Sequence, residues 1–154
     1  VVLFPERAPA STSRFLENVE ARLYDGTIFH RVISSTLVQG GQYTPSLEKK
    51  KARAPIYCEA RNGLSNMRGT VSMARLDREI DSARSQFFIN LADNFHFDHR
   101  GMEPAAYGYA VFGRVFSGMD VVDRIGRATT EARTDLLRDV PTEPIEVIEM
   151  RRVR

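Results

Sequence analysis

Thr27-Ile28-Phe29-His30-Arg31-Val32-Ile33-Ser34-Ser35-Thr36-Leu37-Val38-Gln39-Gly40-Gly41 reads as two short strands around a tight turn. The first seven residues are rich in β-branched and aromatic types, which suit a pleated surface. Ser34-Ser35 supplies the turn, and Leu37 to Gly41 forms a second strand closed by two glycines. Strict alternation sets Phe29, Arg31 and Ile33 on one side of the first strand and His30 and Val32 on the other. Upstream, Phe15, Leu16, Val19 and Leu23 recur at helical spacing. They predict a core-facing helix over 10–23, capped by Ser11 or Thr12 and stopped by Asp25-Gly26. Downstream, strands are expected over 69–74, 87–89, 107–115 and 145–153. Ser117 with Asp120 forms a capping box that introduces a second helix to Ile125, ended by Gly126. Residues 42–54, 75–84 and 93–106 read as loops, and 129–144 as irregular. Many short strands with only two helices predict a mainly β chain, a closed or nearly closed barrel flanked by helices.

The composition agrees with a globular chain and removes several functions. Of 154 residues, 42% are hydrophobic and 27% charged, far from the disordered or fibrous ranges. That length suits one domain over 1–154, and Val1 to Phe4 reads as the end of a strand whose beginning lies upstream. A net charge of +2 gives no case for nucleic acid as a partner. No apolar run approaches a membrane span. One cysteine excludes an intrachain disulfide framework and any multi-cysteine metal site. No signal peptide stands in this numbering, and no initiator Met either, so periplasm and cytoplasm both remain open.

The usual catalytic constellations come up short. Cys58-Glu59 lies in no nucleophile setting, and His96-Phe97-Asp98-His99 lacks a third metal ligand at useful spacing. No phosphate loop and no GxSxG serine is present. The Glu48-Lys49-Lys50-Lys51 run reads as a solvated loop. What stands out is Arg31, sharing a strand face with large apolar residues, and two amides, Gln39 and Gln86, joined to apolar segments. Amides in such places need partners. They suit either a buried structural network or recognition of a peptide backbone.

The blocks Phe29-His30-Arg31-Val32-Ile33, Val38-Gln39-Gly40-Gly41 and Gly69-Thr70-Val71-Ser72-Met73-Ala74-Arg75 resemble a cyclophilin. So do Asp81 to Asn90, Gly108 to Val115 and Gly118 to Asp123, in family order and spacing over essentially the whole chain. Leu91-Ala92-Asp93-Asn94, Glu59 to Leu64 and Tyr109 are similar to the bacterial branch. The resemblance implies a closed eight-stranded antiparallel barrel capped by two helices, with a groove for proline-containing peptides. The implied activity is peptidyl-prolyl cis–trans isomerisation that assists protein folding, without cofactor or metal. By position in the motifs, Arg31 is the catalytic arginine, accompanied by His30. Gln39 is the groove glutamine; Leu37, Phe88 and Phe97 form the proline pocket; Ala74, Arg75 and Gln86 line the adjacent strip, and Tyr109 closes one side.

Two positions depart from the family pattern. Thr36 stands where an aromatic usually helps to form the proline pocket, so that pocket is expected to be weakened. His96 stands where Trp or Phe is common, and since Trp there favours cyclosporin-type ligands, their binding is expected to be weak. The expected partners are proline-containing peptides and unfolded or folding proteins, with the chain acting as a monomer. A proline-peptide-binding chaperone module with little turnover is the alternative.

Overall fold

Leu37, Val38, Gln39 and Gly40 alternate between the two sides of one strand, and the neighbouring strands are registered so that each side becomes a continuous row. In the computed structural model, which describes residues 1–153, this strand is β4 (Leu37–Gly40). It pairs antiparallel with β3 (Arg31–Ile33) on one edge and β6 (Phe87–Asn90) on the other. β5 (Thr70–Met73), β7 (Val111–Arg114) and β1 (Val2–Leu3) follow, in the order β1-β7-β5-β6-β4-β3. Val32, Val38, Ile89 and Val71 stand opposite one another across four strands and are all buried. That row lies under α1 (Pro9–Glu20), whose Phe15 ring stands 5.2, 5.6 and 5.1 Å from the rings of Tyr24, Phe87 and Phe112. The other face carries Arg31, Gln39, Phe88 and Ser72, also in register.

The expected closed eight-stranded barrel with two helices is not what forms. The six-stranded sheet is open, and two separate two-stranded ladders flank it: β2 (Thr27–Ile28) with β10 (Glu146–Val147), and β8 (Thr130–Glu131) with β9 (Val140–Pro141). The architecture is mixed α/β. Closure needs the last strand to bond to an edge of the main sheet, and β10 bonds to β2 instead. The alternation over 145–153 yields a ladder only at Glu146–Val147. Beyond it the Asp25 carboxylate takes the Met150 amide at 2.9 Å, and Ile148 and Val153 are 79% and 83% exposed.

Three α-helices are present among the described residues rather than two. α2 (Pro104–Tyr107) follows a 3₁₀ turn at Phe95–Phe97, within the stretch expected to be loop, and α3 (Met119–Ile125) occupies the capping-box segment. Neither expected N-cap is used, whereas Gly126 ends α3 as expected. Gly118, in the left-handed region, precedes α3 without a side-chain bond. α1 starts at Pro9, and its free N–H groups are capped from 49 residues away. The Glu59 carboxylate accepts from the amides of Ala10 and Ser11 at 2.9 and 2.8 Å and from Ser11 Oγ at 2.6 Å. A carboxylate there completes orphan donors and meets the positive end of the helix dipole.

The expected single strand over 27–33 changes partner in its middle. Phe29 N–H bonds to Ile145 O on the β10 side, whereas Arg31 opens the ladder with β4. Phe29 therefore leaves the Arg31 face and sets its ring 6.2 Å from Phe87 in the core.

Candidate functional site

Alternation on β3 and β4 decides which side chains meet outside the core. Arg31 and Gln39 are cross-strand partners, and Arg31 Nη1 donates to Gln39 Oε1 at 3.3 Å. Gln39 Nε2 donates in turn to Gln86 Oε1 at 2.8 Å, and Gln86 Nε2 to Gln42 Oε1 at 2.8 Å. A polarised file of amides thus ends at the guanidinium, each bond aligning the next. Asp139 approaches from the opposite side, its Oδ2 3.9 Å from Arg31 Nε, and its backbone carbonyl accepts from the Val32 amide at 2.8 Å. The Arg31 side chain is about half exposed, at 47%.

Next to this file, Phe88, Phe97 and Tyr109 form a trio of near-perpendicular rings with centroids 5.4–5.6 Å apart. Edge-to-face packing of this kind holds each ring in place. Leu37 lies buried on the same sheet face, two residues from Gln39 in β4. Gly108 permits the close approach that brings Tyr109 to Phe97. Its φ is +84°, and a Cβ there would come within 2.7 Å of Phe97 O and the backbone of Asp98 and His99. Tyr109 N–H then bonds to Phe97 O at 2.9 Å. Arg75 spans the back of Tyr109 with its guanidinium carbon 5.0 Å from the ring centroid. It donates to the carbonyls of Gly108, Pro104 and Leu76. Burial first, and the Asp77 carboxylate that accepts from the Tyr109 hydroxyl at 3.4 Å second, push the phenol above its ordinary range.

The remaining expected residues fall around this centre. Ala74 lies at the far end of the amide file, its N–H bonded to Gln86 O at 3.0 Å. His96 is exposed, with its ring 4.2 Å from Phe97. Thr36 is half-buried; its carbonyl accepts from the Leu91 amide and from Asn94 Nδ2, both at 2.9 Å. His30 lies on the core side of β3, next in sequence to Arg31. It is 3% exposed, with its ring 4.5 Å from Tyr43 and its Nδ1 without a hydrogen-bond partner. Burial first, then the Arg31 charge, lower its pKa to about 4. Cys58 lies outside the site, half-buried with Sγ 3.9 Å from Gly108 O, and burial raises its thiol pKa. Among the described residues no three His, Cys, Asp or Glu side chains gather into a cluster.

Three contributors escape the sequence reading. Gln42 ends the amide file, and Asp139 flanks Arg31 from a segment expected to be irregular. Asn66, fully buried, joins Asp98, the Tyr109 carbonyl, Ser72 and Asn90, and Asn90 accepts from Asn94. This network ties the aromatic turn to β5 and β6. Asn66 and Asn90 are polar letters beside strands, but nothing in their spacing says that they meet.

The arrangement thus joins an exposed guanidinium, a file of amides and a cluster of aromatic rings, with no nucleophile among them. Residues 1–152 match the family model of the cyclophilin type peptidyl-prolyl cis-trans isomerase/CLD. Peptidyl-prolyl cis-trans isomerase A of Dickeya dadantii is 46% identical over 147 residues, covering 96% of this chain and 75% of the relative. Peptidyl-prolyl cis-trans isomerase B of Escherichia coli is 42% identical over 142 residues, covering 92% and 85%. A crystal structure of a Cryptosporidium parvum cyclophilin type isomerase, in the presence of the dipeptide Ala-Pro, superposes with a TM-score of 0.76 at 22% identity. That superposition covers 96% of this chain and 87% of the other. The chain belongs to the cyclophilin-type peptidyl-prolyl cis-trans isomerase family. It is an isomerase that assists protein folding, and its substrates are proline-containing peptides and proteins.

Proposed function

We propose that Arg31 is the catalytic group and that it lowers the rotation barrier of Xaa-Pro bonds by non-covalent stabilisation of the twisted amide. The observation that carries this reading is the row Arg31–Gln39–Phe88 on the sheet face turned away from α1, which runs from an exposed guanidinium to a buried aromatic ring. A peptide bond resists rotation by about 18–20 kcal/mol because of its partial double-bond character. Twisting removes the resonance, and the proline nitrogen gains lone-pair character. A donor aimed at that nitrogen binds the twisted state more tightly than either planar state. A guanidinium suits the task because it stays protonated and carries its N–H groups in a rigid fork.

Phe88, Phe97 and Tyr109, with Leu37 beside them, seat the proline ring. Gln39, Gln86 and the backbone at Ala74 hold the peptide chain, and Arg75 positions Tyr109. His30 supports the Arg31 strand from beneath. Thr36 leaves one wall of the seat low, which lowers turnover without abolishing it. His96 presents a smaller, more polar edge than Trp, so cyclosporin-type ligands bind weakly. One chain supplies every group named, which supports a monomer as the working unit.

A protease-coupled isomerisation assay on wild type and Arg31→Ala tests this reading. Removal of one transition-state donor costs about 10²–10³ in rate in comparable sites, so kcat/KM is expected to fall about a hundredfold or more. It is also expected to stay flat between about pH 6 and 8, because no step uses a side chain that titrates there. Equal, low rates in both proteins with retained peptide binding would instead mark a peptide-holding module.

A further inference from the structure

Among the described residues the Arg31 guanidinium has two side-chain partners, one on each side of it. Gln39 Oε1 accepts from Nη1 at 3.3 Å, and Asp139 Oδ2 stands 3.9 Å from Nε. The second contact is too long for a hydrogen bond and acts as charge on charge. Asp139 has no other partner of its own. The cations nearest to it in sequence are engaged elsewhere, Arg133 by Glu131 at 2.8 Å and Arg138 by the Asp135 carbonyl at 3.2 Å. Its backbone is fixed from two directions. The Asp139 carbonyl takes the Val32 amide at 2.8 Å, one residue beyond Arg31, and the following Val140 is 3% exposed and paired with β8. The fold thus delivers this carboxylate to the side of Arg31 that Gln39 does not reach.

An arginine side chain has many rotamers when half exposed, and a donor lowers a barrier only while it is aimed. Gln39 alone holds one end of the guanidinium through a neutral bond, about which the rest of the group can swing. A negative charge at the other end opposes that swing. We propose that Asp139 is a positioning residue for the isomerisation: its carboxylate holds Arg31 between itself and Gln39 and leaves Nη2 as the donor for the substrate. The inference rests on Arg31 as the catalytic group. Because the hold is electrostatic and both side chains are about half exposed, at 47% and 45%, it weakens as salt screens the pair. Peptide binding does not pass through Asp139, since the aromatic rings and the amides lie on the other side of Arg31.

kcat and KM are measured for wild type, Asp139→Asn, Arg31→Ala and the double variant, on a proline peptide without charged side chains. Asparagine keeps the shape of the side chain and the carbonyl that binds Val32, so only the charge is removed. An exposed ion pair shifts an equilibrium by up to about fivefold, and kcat of Asp139→Asn is expected to fall about three- to fivefold at low salt. KM is expected to stay unchanged. At 1 M salt, where the screening length is about 3 Å, the wild type should drop to the level of the variant. In the Arg31→Ala background the same substitution is expected to change kcat by less than about twofold, because the group it acts through is gone. Three results overturn the proposal: a wild-type kcat in Asp139→Asn, a rise in KM that accounts for the loss, or a loss of full size that persists without Arg31. The last would mark a general effect on the fold. Failure of Arg31→Ala to lose activity would sink the catalytic reading itself, whereas an inactive Arg31→Ala beside an unchanged Asp139→Asn removes only the positioning role.

Discussion

His30 links the stability of this chain to pH through a single buried ring. The imidazole is 3% exposed, its Nδ1 has no partner, and the Arg31 charge stands on the next residue. Burial and that charge bring its pKa from 6.5 to about 4. The folded chain therefore resists a proton that the unfolded chain accepts. Between the two values the unfolded state binds more protons, so stability rises with pH there. The contribution of neutral His30 is whole above about pH 6.5 and drains away as pH falls towards about 4. Linkage over that window gives a loss of about 2 kcal/mol between pH 7 and 4.5. With a urea dependence of about 2 kcal/mol per molar, the midpoint moves down by about 1 M. Carboxylates titrate in the same range, so the measurement is a difference. Urea unfolding of wild type and His30→Phe is followed at pH 7, 6, 5.5, 5 and 4.5, and the change with pH is compared. The wild type is expected to lose about 2 kcal/mol more than the variant across the series. Parallel losses in the two proteins would refute the reasoning, because they would mean that His30 is protonated as easily folded as unfolded.

Two other perturbations test parts of the frame that hold the site. Glu59→Gln keeps an acceptor for α1 but discards the charge, and is expected to lower stability by about 1–2 kcal/mol. Glu59→Ala removes all three bonds to Ala10 and Ser11, and a loss of about 3 kcal/mol or more is expected by urea unfolding. Asn66→Ala strips partners from Ser72, Asn90 and Asp98 in a fully buried position. A loss of about 2–4 kcal/mol is expected, and thermal unfolding at pH 7 reads it.

Local pattern carried most of the elements into the structure and little of their closure. The apolar spacing of Phe15, Leu16 and Val19 marks α1, and the β-branched run marks β3 and β4, because each signal is repeated within a few residues. Caps were hidden. Ser11 looks like an N-cap, yet it is the second donor to a carboxylate 48 residues away, and sequence spacing has no access to that distance. The barrel failed for a related reason. Alternation over 145–153 is the pattern of a strand, but a ladder needs a partner with free donors, and the Asp25 carboxylate claims the backbone at Met150. Short-range periodicity states what a segment can do; competition among distant partners decides what it does.

The site was legible where chemistry is unusual and illegible where it is built by register. Arg31, Gln39 and Gln86 stood out as polar groups on apolar segments, and the structure brings all three into one file. Gln42 and Asp139 did not, since a glutamine and an aspartate in loops are ordinary until a neighbour is known. Register explains why so short a strand as β3 carries Arg31 at the head of the amide file. Arg31 opposite Gln39, and Val32 opposite Val38, are one decision and not two. The burial of Val32 and Val38 against Phe15 and Phe87 is what turns Arg31 outward. A slip by one residue would bury the guanidinium and expose the valines together. Desolvating an unpaired cation costs several kcal/mol, and exposing a valine about 1.5 kcal/mol or more. Both penalties oppose the same slip, so the hydrophobic core that shapes the sheet also fixes which way Arg31 faces.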